Sequence, residues 1–114
     1  MENSKAAFCP IRDILSRVGD KWSMLVLMTI YHNQTIRFKE LNREIPELSQ
    51  KVLTSTLRNL EGDGYVSRKI YMQVPPKVEY SLSTLGLSLV PHLEGLVSWA
   101  LDNGHGIIES REAM

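Results

Sequence analysis

A single cysteine, Cys9, in a chain of 114 residues leaves little room for disulfide or metal chemistry. One thiol excludes an intrachain disulfide and any cysteine-rich zinc site. The three histidines are scattered without the spacing of metal ligands. An enzyme would need a nucleophile, a base and an orienting group, and Cys9 has no recognisable histidine partner. We therefore predict no metal, no other cofactor and no catalytic activity.

Long hydrophobic runs are also missing from the sequence. The longest, "MLVLM" from Met24 to Met28, falls far short of the roughly 20 residues that cross a membrane as a helix. No secretory signal pattern precedes it. A chain of this length can build one domain with a real core. The sequence thus predicts a single cytoplasmic domain, residues 1–114, with no membrane association.

The formal net charge is zero, but the charges are unevenly distributed along the chain. Residues 37–77 contain eight basic and five acidic side chains, whereas residues 78–114 contain five acidic side chains and one base, Arg111. Clustered cations are typical of a surface that meets a polyanion such as DNA. The middle of the chain is therefore the candidate contact region.

The N-terminal third reads as two helices. Proline suits the first position of a helix, so Cys9-Pro10 predicts a helix start, and Gly19 predicts its end after Val18. Asp20 is a good N-cap for a second helix that runs to about His32. That second helix has almost no polar face, so we expect it at the centre of the core.

Two short helices follow the turn predicted at residues 33–36. In the first, "RFKELNREI" places Phe38, Leu41 and Ile45 on one helical stripe that ends at Pro46. In the second, "SQKVLTSTLRNL", Ser49 is the expected N-cap, a leucine stripe faces inward, and "EGDG" ends the helix. Two short helices with a tight joint form a helix-turn-helix.

A β-hairpin is predicted directly after these helices. The segments "YVSRKIY" and "VEYSLS" alternate as strands do, and a stiff loop containing Pro75-Pro76 separates them. A helix-turn-helix followed by such a hairpin is a winged helix. The predicted fold class is α+β and mostly α, with the helix-turn-helix and wing at about residues 37–82.

The last predicted helix, about residues 84–104, has two apolar stripes where a surface helix needs one. We expect the second stripe to meet another copy of the chain, since two-fold homodimers are the commonest assemblies; its residues are Leu87, Val90, Val97 and Leu101. Together with residues 9–18 this helix would form the dimer interface. Pro91 should kink the helix or split it in two.

The sequence resembles the HxlR-like winged helix-turn-helix transcriptional regulators, relatives of the MarR group. The resemblance covers nearly the whole chain and rests on the order and spacing of "CPIRDIL", "GDKWSMLVL", "RFKEL", "SQKVLTSTLRNLEGDGYVSRKIY", "VPPKVEYSLSTLG" and "SW". It implies a dimeric transcriptional regulator that binds double-stranded DNA, with a recognition helix at Ser49 to Glu61 and a wing at Tyr65 to Leu82. It identifies no small-molecule effector.

The polar face of the recognition helix is the predicted DNA-reading surface. Short hydroxyls, an amide and two cations can hydrogen-bond base edges and phosphates. The predicted DNA-binding residues are Lys39, Ser49, Gln50, Lys51, Thr54, Ser55, Arg58, Arg68, Lys69 and Lys77. The chain departs from the usual family pattern at Gln50, Ser55 and Thr56, which we place on this face, so the operator sequence is not predicted.

Two questions stay open at the level of sequence. Cys9, beside a predicted helix start and near Lys5 and Arg12, could be a reactive thiolate that senses oxidants or electrophiles, as in some HxlR-like regulators, or it could be a small buried hydrophobe. A winged helix can also serve as a protein-interaction module that binds no DNA. The basic middle of the chain favours DNA.

Overall fold

The computed structural model describes residues 4–114, and it describes side chains from Pro10 onward. Within this part of the chain the elements run, in order, α1 (Ser4–Val18), α2 (Lys21–Asn33), β1 (Thr35–Ile36), α3 (Phe38–Glu44), α4 (Gln50–Gly62), β2 (Val66–Tyr71), β3 (Lys77–Leu82) and α5 (Thr84–Glu112). The two helices α3 and α4 with the β2–β3 hairpin form the predicted winged helix-turn-helix.

Helix α2 lies at the centre of the core, as predicted. The carboxylate of Asp20 accepts hydrogen bonds from the backbone N–H groups of Trp22 and Ser23 and so caps its first turn. Its apolar side packs against α4, α5 and β3. Among the side chains from Pro10 onward, the buried residues of the core cluster are Val18, Val26, Leu27, Ile30, Ile36, Leu41, Ile45, Leu48, Leu53, Leu57, Leu60, Val66 and Leu93.

Helix α4 begins where the sequence places it. The Ser49 hydroxyl accepts the Val52 N–H at 3.1 Å, which satisfies one of the free donors of the first turn. Leu53, Leu57 and Leu60 are buried against the core. The helix therefore has a fixed inward stripe, and this stripe determines which of its residues face away from the protein.

The sheet contains one strand that the sequence did not predict. β3 lies between β2 and β1, and all neighbours are antiparallel. Residues 33–36 were expected to form a turn, but Thr35 and Ile36 pair with Ser81 and Tyr80. Ile36 is buried in the core, and its burial holds this short segment beside β3. The base of the wing is thereby attached to the start of α3.

A tight junction joins the end of α4, the first strand of the wing and the start of α5. The Ser83 N–H donates to the Tyr65 carbonyl at 3.0 Å, and the Ser83 hydroxyl donates to the Gly64 carbonyl at 2.5 Å. A Cβ at Gly86 would lie only 2.2 Å from that Tyr65 oxygen. Only glycine therefore allows the two backbones to approach this closely.

The predicted start of α1 and the predicted end of α5 were wrong, and of the two outcomes predicted for Pro91, a kink or a split, the split is contradicted. α1 starts at Ser4, so Cys9-Pro10 lies inside the helix and does not open it. α5 continues to Glu112 as one helix, and Pro91 does not split it. Pro10 and Pro91 are both exposed, and each lacks the N–H that would bond the carbonyl four residues earlier in its helix.

Val90 was predicted at the dimer interface, and this prediction was also wrong. Its side chain is 2 % exposed in a single chain, because it lies on the side of α5 that packs against the body of the protein. Leu87, Val97 and Leu101 are exposed, as an interface would require.

Candidate nucleic-acid interface

The outward face of α4 forms a shallow polar surface. Gln50, Lys51, Ser55 and Arg58 are exposed and Thr54 is half-buried, and these five residues lie side by side together with Asn59. Acidic side chains are absent from this group. The surface therefore offers donors, acceptors and positive charge in one place, which is the chemistry needed to contact base edges and phosphates.

The outward face of α4 differs from the prediction at two residues, Thr56 and Asn59. Thr56 was placed on it, but its side chain is 5 % exposed and packs inward with the leucines. Asn59 was not assigned, yet it borders the surface. The helical repeat could have found it, because Asn59 follows Ser55 by four residues and so lies on the same side.

Some of the predicted contact residues already have partners in the chain. The Ser49 hydroxyl caps α4, and the Thr54 hydroxyl donates to the Gln50 carbonyl at 2.7 Å. Arg68 Nε lies 3.1 Å from a Glu61 carboxylate oxygen, which links the wing to the last turn of α4. The charge of Arg68 is thus partly offset, while Arg58 nearby forms no ion pair within 4 Å among the described side chains.

The outer part of the wing holds two lysines around one aromatic ring. Lys69 Nζ and Lys77 Nζ each lie 4.9 Å from the centre of the Tyr71 ring, and Lys77 Nζ lies 3.3 Å from a Glu79 oxygen. A hydrogen bond from Tyr71, with a further contribution from Lys77, holds the pKa of Glu79 below its usual range. Glu79 therefore stays ionised beside Lys77 at neutral pH.

A second basic surface lies between α3 and the wing. It brings together Arg37, Lys39, Arg43 and Lys77, with Glu40, Glu79 and Thr35 between them. The sequence assigned Lys39 and Lys77 to DNA and left Arg37 and Arg43 unassigned. The excess of cations in residues 37–77 was the available signal, but only the pairing of β1 with β3 brings Arg37 next to the wing.

Exposed apolar side chains are concentrated on α1 and α5. On α1 they are Ile11, Ile14 and Leu15, and on α5 they are Leu85, Leu87, Leu96, Val97, Trp99, Leu101 and Ile108. From Glu94 onward, nearly every residue of α5 is exposed. Clustered exposed apolar side chains are typical of interaction surfaces.

Cys9 lies in the part of α1 whose side chains are outside the described residues. Its backbone is nevertheless helical, and it is five residues past the first residue of α1. The reactivity expected for its thiol therefore stays a prediction.

Neither a metal-binding cluster nor a membrane-spanning helix is present among the described residues. No three His, Cys, Asp or Glu side chains there are grouped so that they could hold a metal ion. Nor does that part of the chain contain a helix with the length and apolar character of a membrane span.

Comparison with known proteins places this arrangement in context. Residues 17–106 match the HxlR-like helix-turn-helix family. An HTH-type transcriptional regulator of Halalkalibacterium halodurans is 48 % identical over 94 residues, which are 82 % of this chain and 83 % of the relative.

Solved structures agree with the sequence match. The redox regulator HypR in its reduced form superposes with a TM-score of 0.79 at 39 % identity, covering 89 % of this chain and 98 % of HypR. The regulator ytfH from Salmonella typhimurium gives a TM-score of 0.79 at 36 % identity, covering 90 % and 91 %.

Proposed function

Because the chain belongs to the HxlR-like helix-turn-helix family of transcriptional regulators, we propose that it binds a specific double-stranded DNA sequence as a homodimer. The observation that carries this proposal is the outward face of α4, which is exposed, free of acids and flanked by cations of α3 and the wing. A solvated surface helix ordinarily carries both acidic and basic side chains, whereas this face carries basic side chains and no acidic ones.

The proposed contacts divide by position. Gln50, Thr54 and Ser55 lie in the first half of α4, where recognition helices contact base edges, so we assign them to base reading. Lys51 and Arg58 are shared between bases and phosphates. We assign the phosphate contacts to Lys39, Arg68, Lys69 and Lys77, and we add Arg37 and Arg43 as candidates because they line the same surface as Lys39 and Lys77.

A second copy of the chain is the proposed occupant of the apolar surface of α1 and α5. The buried stripe of α5 passes through Val90 and then continues through Val97, Leu101 and Ile108, where the same chain no longer covers it. Two-fold symmetry would present two α4 helices to DNA. We therefore expect a pseudo-palindromic operator with half-sites about 10 base pairs apart, or a multiple of that spacing.

Replacing Lys77 with alanine should weaken binding to all DNA sequences. Because Lys77 would contact phosphate, its loss releases fewer counterions, and the slope of log K against log salt should fall by about 1. Glu79→Gln is the matched variant, since it frees Lys77 from its ion pair and should strengthen binding. Fluorescence anisotropy with labelled duplex across a salt series measures both effects.

The same salt series tests the function itself. If the wild-type protein shows no salt-dependent duplex binding, the DNA-regulator proposal is rejected. A winged-helix module that binds only protein would give that result, with a shallow salt dependence for its partner. An unchanged slope for Lys77→Ala together with an unchanged affinity for Glu79→Gln, with the wild-type protein binding normally, would reject only the assignment of Lys77 to phosphate.

We also propose that Cys9 makes DNA binding responsive to oxidants or electrophiles. The support is the similarity to the redox regulator HypR and the position of Cys9 on α1, the helix that carries part of the proposed dimer surface.

Alkylation or mild oxidation should change the DNA affinity of the wild-type protein, and Cys9→Ser should abolish the response while keeping basal binding. Anisotropy before and after treatment measures it, and mass spectrometry confirms that Cys9 has been modified. An identical response in wild type and variant would show that Cys9 is not the sensor.

A further inference from the structure

An ion pair connects α1 to the end of α4. Arg17, in the last turn of α1, donates from Nε to one carboxylate oxygen of Asp63 at 2.7 Å and from its terminal nitrogen to the other at 3.1 Å. This two-pronged geometry fixes direction as well as distance. The contact with Asp63 raises the pKa of Arg17 above its ordinary value.

Asp63 lies where α4 ends and the chain turns toward the wing, so a contact at this residue can affect the position of both. It is the C-cap of α4, and its backbone N–H donates to the Asn59 carbonyl at 2.9 Å. The next residue, Gly64, turns the chain toward the wing with a φ of 88°. A force on the Asp63 side chain therefore acts on the last turn of the proposed recognition helix and on the start of β2.

Arg17, the other partner of the ion pair, lies on α1, a helix that also has an exposed apolar surface. Ile11, Ile14 and Leu15 are exposed on α1. Among the described side chains of α1, Arg17 is the one that hydrogen-bonds a residue outside its own helix. If a second copy covers the apolar residues, the pair joins that interface to α4.

We propose that Arg17 is a positioning residue for DNA recognition, which holds the C-terminal end of α4 at the angle required for binding through its ion pair with Asp63. This inference rests on the proposed function. Both side chains are partly exposed, at 42 % and 30 %, so the pair contributes little to overall stability. Its effect should appear in DNA affinity and leave unfolding nearly unchanged.

The test measures anisotropy on a cognate operator, obtained by selection from random duplexes, for Arg17→Gln, Asp63→Asn and the double variant Arg17→Asp with Asp63→Arg. Losing an exposed pair should raise Kd about threefold per half-site, and thus about tenfold for a dimer on two half-sites. The charge-swapped pair should recover most of this loss. Arg17→Lys, which keeps the charge without the two-pronged geometry, should be intermediate.

Arg12→Gln is the matched control, because it removes the same charge from an exposed arginine of the same helix. If Arg12→Gln lowers operator affinity as much as Arg17→Gln does, the effect comes from the change in net charge, and the proposal is overturned. Three other results would also overturn the proposal. The single variants could bind the operator within twofold of wild type, the charge-swapped variant could fail to recover affinity, or the loss of affinity could parallel a drop in unfolding temperature. Failure of the wild-type protein to bind DNA would instead reject the function on which the inference rests.

Discussion

Leu101→Glu should convert the proposed dimer to a monomer. Leu101 is 76 % exposed in one chain, so a glutamate there costs the isolated fold almost nothing. In the proposed dimer the same position is covered, and an unpaired buried charge opposes association by about 3–5 kcal/mol. Because a two-fold interface contains each position twice, the effect is doubled. Sedimentation equilibrium at micromolar concentration measures the change, and Val97→Glu should act in the same way.

Ser110→Glu provides the control for this experiment. Ser110 is nine residues beyond Leu101, which places it on the opposite side of α5. It adds the same charge to the same helix, and the dimer should persist. A wild-type protein that is a stable folded monomer at this concentration, or a Leu101→Glu variant that remains dimeric, would contradict the proposed interface.

Gln50→Ala should reduce affinity for the cognate operator by about 1–3 kcal/mol and affinity for random DNA very little. The Gln50 side chain is exposed in the first turn of α4, where an amide can pair with the edge of one base. The side chain is neutral, so its loss releases no counterions and the salt slope should stay unchanged. Competition binding with cognate and scrambled duplexes measures the specificity ratio.

Gln73→Ala is the matched control, since it removes an exposed glutamine from the loop of the wing. It should leave the ratio of cognate to scrambled affinity as it is in the wild type. Equal losses on cognate and scrambled DNA for Gln50→Ala would reject its assignment to base reading.

The helix-turn-helix and wing could be predicted from the sequence because their signals are local. Ser49 caps the helix that follows it within three residues, and the alternation in residues 66–82 spans adjacent strands. The resemblance to the HxlR-like family extended this reading, and the family match over residues 17–106 confirmed it. The same local signals identified most of the polar face of α4.

The remaining features depend on contacts that local patterns do not contain. Proline is a strong signal for a helix boundary, but a long helix with an exposed proline can continue through it, as at Pro91. Val90 and Val97 are the same residue type on the same stripe of α5. The body of the protein covers α5 at Val90 and leaves Val97 exposed, and the sequence pattern does not show where this cover ends. The pair of Arg17 and Asp63 joins residues 46 apart, beyond any sequence periodicity.

The junction of Tyr65, Ser83 and Gly86 limits how the molecule can move. With no space for even one methyl group between the Tyr65 carbonyl and α5, this contact should resist sliding, because packed contacts resist gradual deformation. A displacement of α5 would carry the wing and the end of α4 with it as one rigid body. In a dimer, a signal arriving through α5 would therefore change the separation and tilt of two intact reading units, and the internal angle between helix and wing would be preserved in each.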